Sequence, residues 1–303
     1  MRHSVLIALD RLVNLVEIAD DHGVRVAGEQ CDLAAADACE RVADALYTGW
    51  YLPPFGVDPP SRIGDLTALL RAAHAGAERF EGGWLVTAAA PDGRCVVSRE
   101  GRSRAVQPGE YVLPLRPAVP PAPGDLLDVV RRHDWTDQDS GFWCARSPDQ
   151  PEPPINRAYL NLPAGAAAPV LHAVTARLER EGLPHSLKCP SAADGYARVD
   201  SLVIYYERER EEQAHTALQE VHMDIGSLLR PAVPPLSLRL APGLAHAEQP
   251  AGGESFGQSR CRVLATALVA ALRADTDRKD LRATLLNGLS AAGIALHRPW
   301  AAA

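Results

Sequence analysis

Lysine is almost missing from this chain: of 31 Lys and Arg residues, only Lys188 and Lys279 are lysines. Arginine has replaced lysine wherever a plain positive charge suffices, so a surviving lysine is worth asking about. Arginine does not deprotonate in proteins, whereas a lysine amine can turn neutral and act as a base or nucleophile. Lys279, in Asp-Arg-Lys-Asp, reads as a solvated helix start; Lys188, in Leu-Lys-Cys after a helix, does not. Long apolar runs are also missing. No segment approaches the roughly 18 uninterrupted apolar residues of a membrane span, and Asp10 and Arg11 cut short the apolar residues 4–9 where a signal peptide would continue. A cytoplasmic protein is expected. The six cysteines contain no C-x-x-C pair and no histidine at zinc-finger spacing, which leaves reduced thiols rather than a disulfide framework or structural metal. A net charge of −7 argues against a nucleic-acid or anionic-membrane binder.

What is present fits an α+β chain of 303 residues in three parts. Residues 1–80 read as a helical N-terminal unit, with helical periodicity over 4–20, 32–47 and 64–78, the second helix breaking into the aromatic run Tyr47–Leu52. Residues 81–150 read as β-rich, with short strand-like runs around the turn signal Pro91-Asp92-Gly93. The proline-rich run 147–154 is the best boundary. Beyond it, 151–303 reads as an α+β catalytic-like domain. Its strands are expected at 157–162, 185–189 and 199–206, and its helices at 166–181, 208–222, 258–273 and 277–290. His215 and His222, two turns apart on one helix, read as surface or core residues.

Three segments carry candidate chemistry. Strand alternation places Tyr196, Arg198 and Asp200 on one face, and Arg157, Tyr159 and Asn161 on another. Two polar-faced strands flanking the Leu-Lys-Cys strand predict a cationic cleft around Lys188. The glycine-rich run 252–257, with Arg260 and Arg262 just inside the following helix, reads as an anion site made of free N–H groups and guanidinium groups, or as a plain glycine-rich turn with solvated arginines. The same run is formally a G-x-S-x-G nucleophile elbow at Ser255, with Asp275 or Asp277 and His297 downstream. That reading needs a buried strand leading straight into the serine, and residues 247–252 do not read as one.

Ala45–Tyr51, Arg157–Asn161, Leu187-Lys188, Tyr196–Asp200 and Gly253–Arg260 together resemble the HopA-type effector-like family, over nearly the whole chain. Its members include bacterial effectors and the lyase component of class V lanthipeptide and thioamide-peptide biosynthesis. The resemblance implies a phosphoserine/phosphothreonine lyase that eliminates phosphate from a precursor peptide. It also implies a kinase-like partner protein and a cyclase. In order of motifs the chain is distantly similar to the OspF/SpvC phosphothreonine lyases. That similarity implies Lys188 as the base abstracting the Cα proton and puts Arg198 and Arg260 in the segments that hold phosphate; from their places on the polar strand face and the helix start, Arg157 is expected to join the phosphate clamp and Asn161 and Arg262 to face the substrate. Tyr159 stands where a histidine acid is expected, because Lys-x-His reads Arg157-Ala158-Tyr159 here; Asp200 orients Arg198 or Lys188. Such an elimination requires no metal or organic cofactor. The reading from another class is a non-catalytic interaction module that binds a protein partner.

Overall fold

The computed structural model describes residues 2–18, 23–52, 64–76, 79–114, 120–131 and 133–302. Among the described residues, seven α-helices and three antiparallel sheets make it an α+β fold. The helices are α1 (Arg2–Asn14), α2 (Ala38–Leu46), α3 (Thr67–Ala73), α4 (Ala167–Arg180), α5 (Glu211–Ile225), α6 (Phe256–Arg273) and α7 (Arg278–Ala291). No helix among the described residues is long and apolar enough to cross a membrane.

The first sheet is a small meander of β1 (Val16–Ile18), β2 (Gly23–Val26) and β3 (Glu29–Asp32). It was not expected. The helical pattern of residues 4–20 ends at Asn14, because Val16, Ile18, Val24 and Val26 are β-branched and pair across β1 and β2. Residues 19–20 at the end of that pattern lie outside the described residues, and so do residues 77–78 at the end of the third predicted helix. α2 is shorter than its pattern, since residues 29–32 pair with β2, and it continues into one wide π-helical turn, Tyr47–Tyr51.

The second sheet, ordered β6-β5-β4-β8-β7, contains β4 (Arg79–Ala89), β5 (Cys95–Arg99), β6 (Arg102–Val106), β7 (Tyr111–Val112) and β8 (Leu126–Arg131). It closes over its own small core around Trp84, Val97 and Leu127.

The third sheet positions the site. Its strands are β9 (Asp134–Asp137), β10 (Phe142–Arg146), β11 (Ile155–Leu160), β12 (His185–Pro190), β13 (Leu202–Glu207), β14 (Leu238–Ala241) and β15 (Leu244–Glu248), in the order β14-β15-β11-β13-β12-β10-β9. The proline-rich run 147–154 therefore joins two strands of one sheet. α4 ends where expected: Gly182 takes a positive φ of 61°, and the N–H of Leu183 returns to the carbonyl of Leu178 at 3.0 Å. One sheet face packs on α3, α4 and α5, with Trp143, Ile204 and Leu171 in that core. The other face packs on α2, α6 and α7, and α1 joins the same core. That second layer draws sheet residues only from β11, β13 and β15.

α6 starts from a reciprocal capping box. Ser255 accepts from the N–H of Gln258 at 3.1 Å, and Gln258 accepts from the N–H of Ser255 at 3.2 Å. Gly257, in its first turn, lies directly under Tyr51: a Cβ there would come within 2.3 Å of the Tyr51 ring. Gly257→Ala is expected to displace Tyr51 and lower stability by about 1–3 kcal/mol, more than the roughly 1 kcal/mol that Ala gains over Gly in a helix. Thermal unfolding of the variant checks this, and an unchanged or raised melting temperature contradicts it.

His74 is 4% exposed, stands edge-on to Trp143 at 6.0 Å between ring centres, and neither ring nitrogen forms a hydrogen bond. Burial first, then the neighbouring His185, push its pKa down to about 4. Above about pH 6.5 the ring is neutral folded or unfolded and has no linkage effect. As pH falls from there to 4 the unfolded chain takes up a proton that the folded chain refuses, at a cost on the order of 3 kcal/mol. His74→Leu is expected to flatten stability against pH in that window by about one proton. Denaturant unfolding at several pH values measures it; curves parallel to those of the unaltered protein would count against it.

Candidate functional site

Register across the third sheet builds the site. Lys188 of β12 lies opposite Cys144 of β10 and Val203 of β13; Val203 lies opposite Tyr159 of β11, and Tyr159 opposite Ala245 of β15. Cys144 also lies opposite Trp135 of β9. Residues directly opposite one another share a face, so Trp135, Cys144, Lys188, Val203, Tyr159 and Ala245 form one row. Its two ends differ. Val203, Tyr159 and Ala245 lie beneath the α6 layer and are at most 2% exposed, whereas Lys188 and Cys144 are half-buried and Trp135 is exposed. Lys188 stands where the covering layer stops.

Two cations meet on one ring there. The Lys188 Nζ is 4.8 Å from the centre of the Phe142 ring, and the Arg198 guanidinium carbon is 5.2 Å from it. Asp200, 6% exposed, grips Arg198 in a two-pronged pair, Nε to Oδ1 at 2.5 Å and Nη2 to Oδ2 at 3.1 Å. The Tyr47 hydroxyl, from the π-helical turn after α2, lies beside Arg198, Asp200 and Ser255; burial, then the Asp200 charge, raise its pKa. Tyr47 stacks on Tyr51 with ring centres 5.6 Å apart. Burial likewise raises the Cys144 thiol, with Lys188 partly opposing it, so the thiol stays protonated at neutral pH.

Arg198 and Asp200 come together for a reason other than the expected one. Residues 193–196 form a 3-10 turn and β13 begins only at Leu202, so strand alternation does not apply to 196–200. Tyr196 is fully buried, and burial, then Cys189, hold its pKa far above the usual value. It takes no part in the cationic group.

The remaining predicted residues are placed elsewhere or held by other partners. Arg157 shares a face with Tyr159, as alternation requires, but it is 5% exposed. Its Nε donates to Gln249 Oε1 at 2.8 Å, its Nη2 reaches the Glu254 carbonyl at 3.4 Å, and its guanidinium lies over the Tyr205 ring. Tyr159 is sealed in the core, where burial holds its phenol protonated. Asn161 lies past the end of β11 and donates to the Ala232 carbonyl at 3.1 Å. Arg260 is 1% exposed over the Phe256 ring and donates to the carbonyls of Pro299 and Ala301 at 3.0 and 2.5 Å. Burial lowers its pKa to about 10, which still leaves it charged at neutral pH. Arg262 makes a surface pair with Glu254 at 2.6 Å.

The elbow reading of Ser255 meets two obstacles. No buried strand leads straight into it, as expected: β15 ends at Glu248, and six residues separate Glu248 from Ser255, which serves as the helix cap. Asp275 and Asp277 lie beyond the far end of α6, 18 residues and roughly 27 Å of helix away. On the α5 side of the third sheet, Glu211, His215 and His246 bring potential metal-ligand atoms within 4.8 Å of one another.

Phe142 and Tyr47 are the members of the site that sequence reasoning did not single out. Tyr47 carried a signal, since it belongs to the Ala45–Tyr51 motif. Phe142 carried none, because only the pairing of β10 with β12 brings it to Lys188.

Solved structures that share this fold include two bacterial effector proteins. An effector protein from Pseudomonas syringae pv. tomato strain DC3000 superposes with a TM-score of 0.55 at 14% identity, over 99% of this chain and 97% of that one. One from Pseudomonas syringae pv. syringae strain 61 superposes with a TM-score of 0.52 at 14% identity, over 99% and 98%. No curated protein matches the chain. The model of the HopA1 effector protein family matches residues 138–300, more than half of the sequence, from just before β10 to beyond α7 and including Lys188, Arg198 and Asp200. The chain therefore belongs to the HopA1 effector protein family.

Proposed function

We propose that the Lys188 face is the active site of a phosphoserine/phosphothreonine lyase acting on a kinase-phosphorylated precursor peptide, giving dehydroalanine or dehydrobutyrine. The observation that supports it most is the meeting of a titratable amine and a carboxylate-held guanidinium on the Phe142 ring, at the uncovered edge of the sheet face. In the proposed reaction the Lys188 amine takes the Cα proton. The electron pair left on Cα forms the Cα=Cβ double bond as the Cβ–O bond breaks, and the phosphate departs with both electrons of that bond. Arg198, kept in orientation by Asp200, binds the phosphate oxygens and stabilises their growing charge. A base and a phosphate-binding cation are the two groups this elimination needs most, and neither requires a metal.

The acid is assigned to Tyr47 rather than Tyr159. Tyr159 is fully enclosed, whereas the half-buried Tyr47 has its hydroxyl beside Arg198 and can protonate the leaving oxygen there. A kinase-like protein as the source of the phosphorylated peptide, and a cyclase as the user of its product, belong to the same proposal. One observation favours the second reading, a non-catalytic module binding a protein partner: Arg157 and Arg260, expected to hold phosphate, are both tied down by buried hydrogen bonds.

Incubation of the purified protein with its phosphorylated peptide, followed by mass spectrometry, separates the two readings. Loss of phosphoric acid supports the lyase; unchanged mass with stable complex formation supports the module. Lys188→Arg keeps the charge but removes the titratable amine, and is expected to lower turnover by roughly 10²–10⁴-fold, the usual contribution of a general base. Undiminished turnover in that variant would overturn the assignment.

Tyr47→Phe is expected to slow elimination at least about tenfold with little change in peptide affinity. Tyr159→Phe is expected to change stability but not the rate per folded molecule. Single-turnover rates and melting curves of both variants decide the matter. A folded Tyr159→Phe variant slower than Tyr47→Phe would return the acid role to Tyr159.

A further inference from the structure

We propose that Glu211, His215 and His246 form a binding site for a divalent transition-metal ion of the zinc class, on the sheet face opposite Lys188. The site is independent of the lyase reading. Glu211 and His215 are four residues apart on α5, and so project from one side of the helix. His246 comes from β15, whose side chain at this position points to the α5 side, in register with Ala158 of that core. Sequence spacing had paired His215 with His222, but His222 turns to the Pro242 carbonyl at 2.8 Å, while the His215 and His246 rings meet with centres 4.6 Å apart.

The polar atoms of this cluster are not satisfied by one another. His246 is fully buried and its Nε2 forms no hydrogen bond; the Nε2 of His215 is buried and likewise without one. The Glu211 carboxylate lies 3.5 Å from His246 Nε2, beyond an ordinary N–H···O bond. Buried polar atoms left in this way cost stability unless something binds them.

The surroundings are those of a supported ligand set. The other His246 nitrogen, Nδ1, is hydrogen-bonded to the Tyr206 hydroxyl at 2.8 Å, which fixes the ring and aims Nε2 at Glu211 and His215. Asn156 donates to Glu211 Oε2 at 2.6 Å, holding the carboxylate from the β11 side. Glu248 draws off the two nearby cations, Arg208 and Arg298, each at 3.4 Å. Two imidazoles and one carboxylate are a known zinc donor set, leaving a fourth position for water. With bonds of about 2.0 Å, tetrahedral ligand atoms stand about 3.3 Å apart, and the three ligand atoms here already lie within 4.8 Å of one another. Glu211 is partly exposed and gives the ion its way in. A bound ion would tie α5 to β15, two elements that are not neighbours in sequence.

The test uses the full chain freed of metal with EDTA and titrated with cobalt(II) chloride, then zinc chloride. The expected result is one cobalt ion per chain with the strong visible absorption of a four-coordinate site, bleached by zinc, and a zinc-dependent rise in melting temperature. His215→Gln and Glu211→Gln, at partly exposed helix positions, are expected to lose at least tenfold in cobalt affinity. Tyr206→Phe should lose 10–100-fold, the range for groups that orient a ligand. His222→Gln should bind as the unaltered chain does. Absence of the cobalt band and of any zinc effect on melting overturns the proposal. So does undiminished affinity in a folded His215→Gln variant.

Discussion

The unequal covering of the seven-stranded sheet is the constraint on which the rest depends. α3, α4 and α5 close one face across β11, β13, β12 and β10, but the α6 layer on the other face reaches only β15, β11 and β13. A charged side chain on a sheet face either stands where the covering layer ends, as Lys188 does, or is held by hydrogen bonds beneath it, as Arg157 is. The same transverse row thus holds Tyr159 at no more than 2% exposure and Lys188 half in solvent. The position of that edge is set by α6, which is held through its first turn: the capping box at Ser255, Gly257 under Tyr51, and Arg260 beneath the C-terminal carbonyls. The glycine-rich motif that suggested an anion site or a nucleophile is, in this fold, the hinge point of the covering layer.

Much of the fold was legible. The helices of the second half follow their apolar periodicity closely, and α4 stops at the expected glycine. Strands made of β-branched and aromatic residues, such as β13, were also readable. β15 was not, because Leu-Ala-His-Ala-Glu carries small and polar residues with little strand preference; its buried place between β11 and β14 comes from long-range pairing. The segment 196–200 was misread for the opposite reason. Its alternation of polar and apolar residues is real, but a 3-10 turn before β13 uses it differently.

The site was legible in type more than in membership. Lys188, Arg198 and Asp200 were chosen for their chemistry, and they lie in one cluster. Phe142, the ring that organises the two cations, lies 46 residues from Lys188 in sequence, and no local pattern announces such a pairing. The same limit hid the relation of His215 to His246, which needs the placement of both α5 and β15.

The rarity of lysine gains a physical meaning from the buried arginines. Arg157 and Arg260 each use several planar donors to bind more than one oxygen acceptor while lying against an aromatic ring, a task suited to a guanidinium and not to an ammonium. In a chain where arginine is the default cation, its presence in a motif says little about ligand binding, since the fold uses arginines as internal clasps. Lys188 makes no such clasp. Its amine rests on a ring where the covering layer ends, a place where arginine would fit equally well by charge, so what sets lysine apart there is its residue chemistry, since an amine can serve as a base and a guanidinium cannot. That asymmetry, rather than the density of arginines, is what the proposed active site on this face rests on.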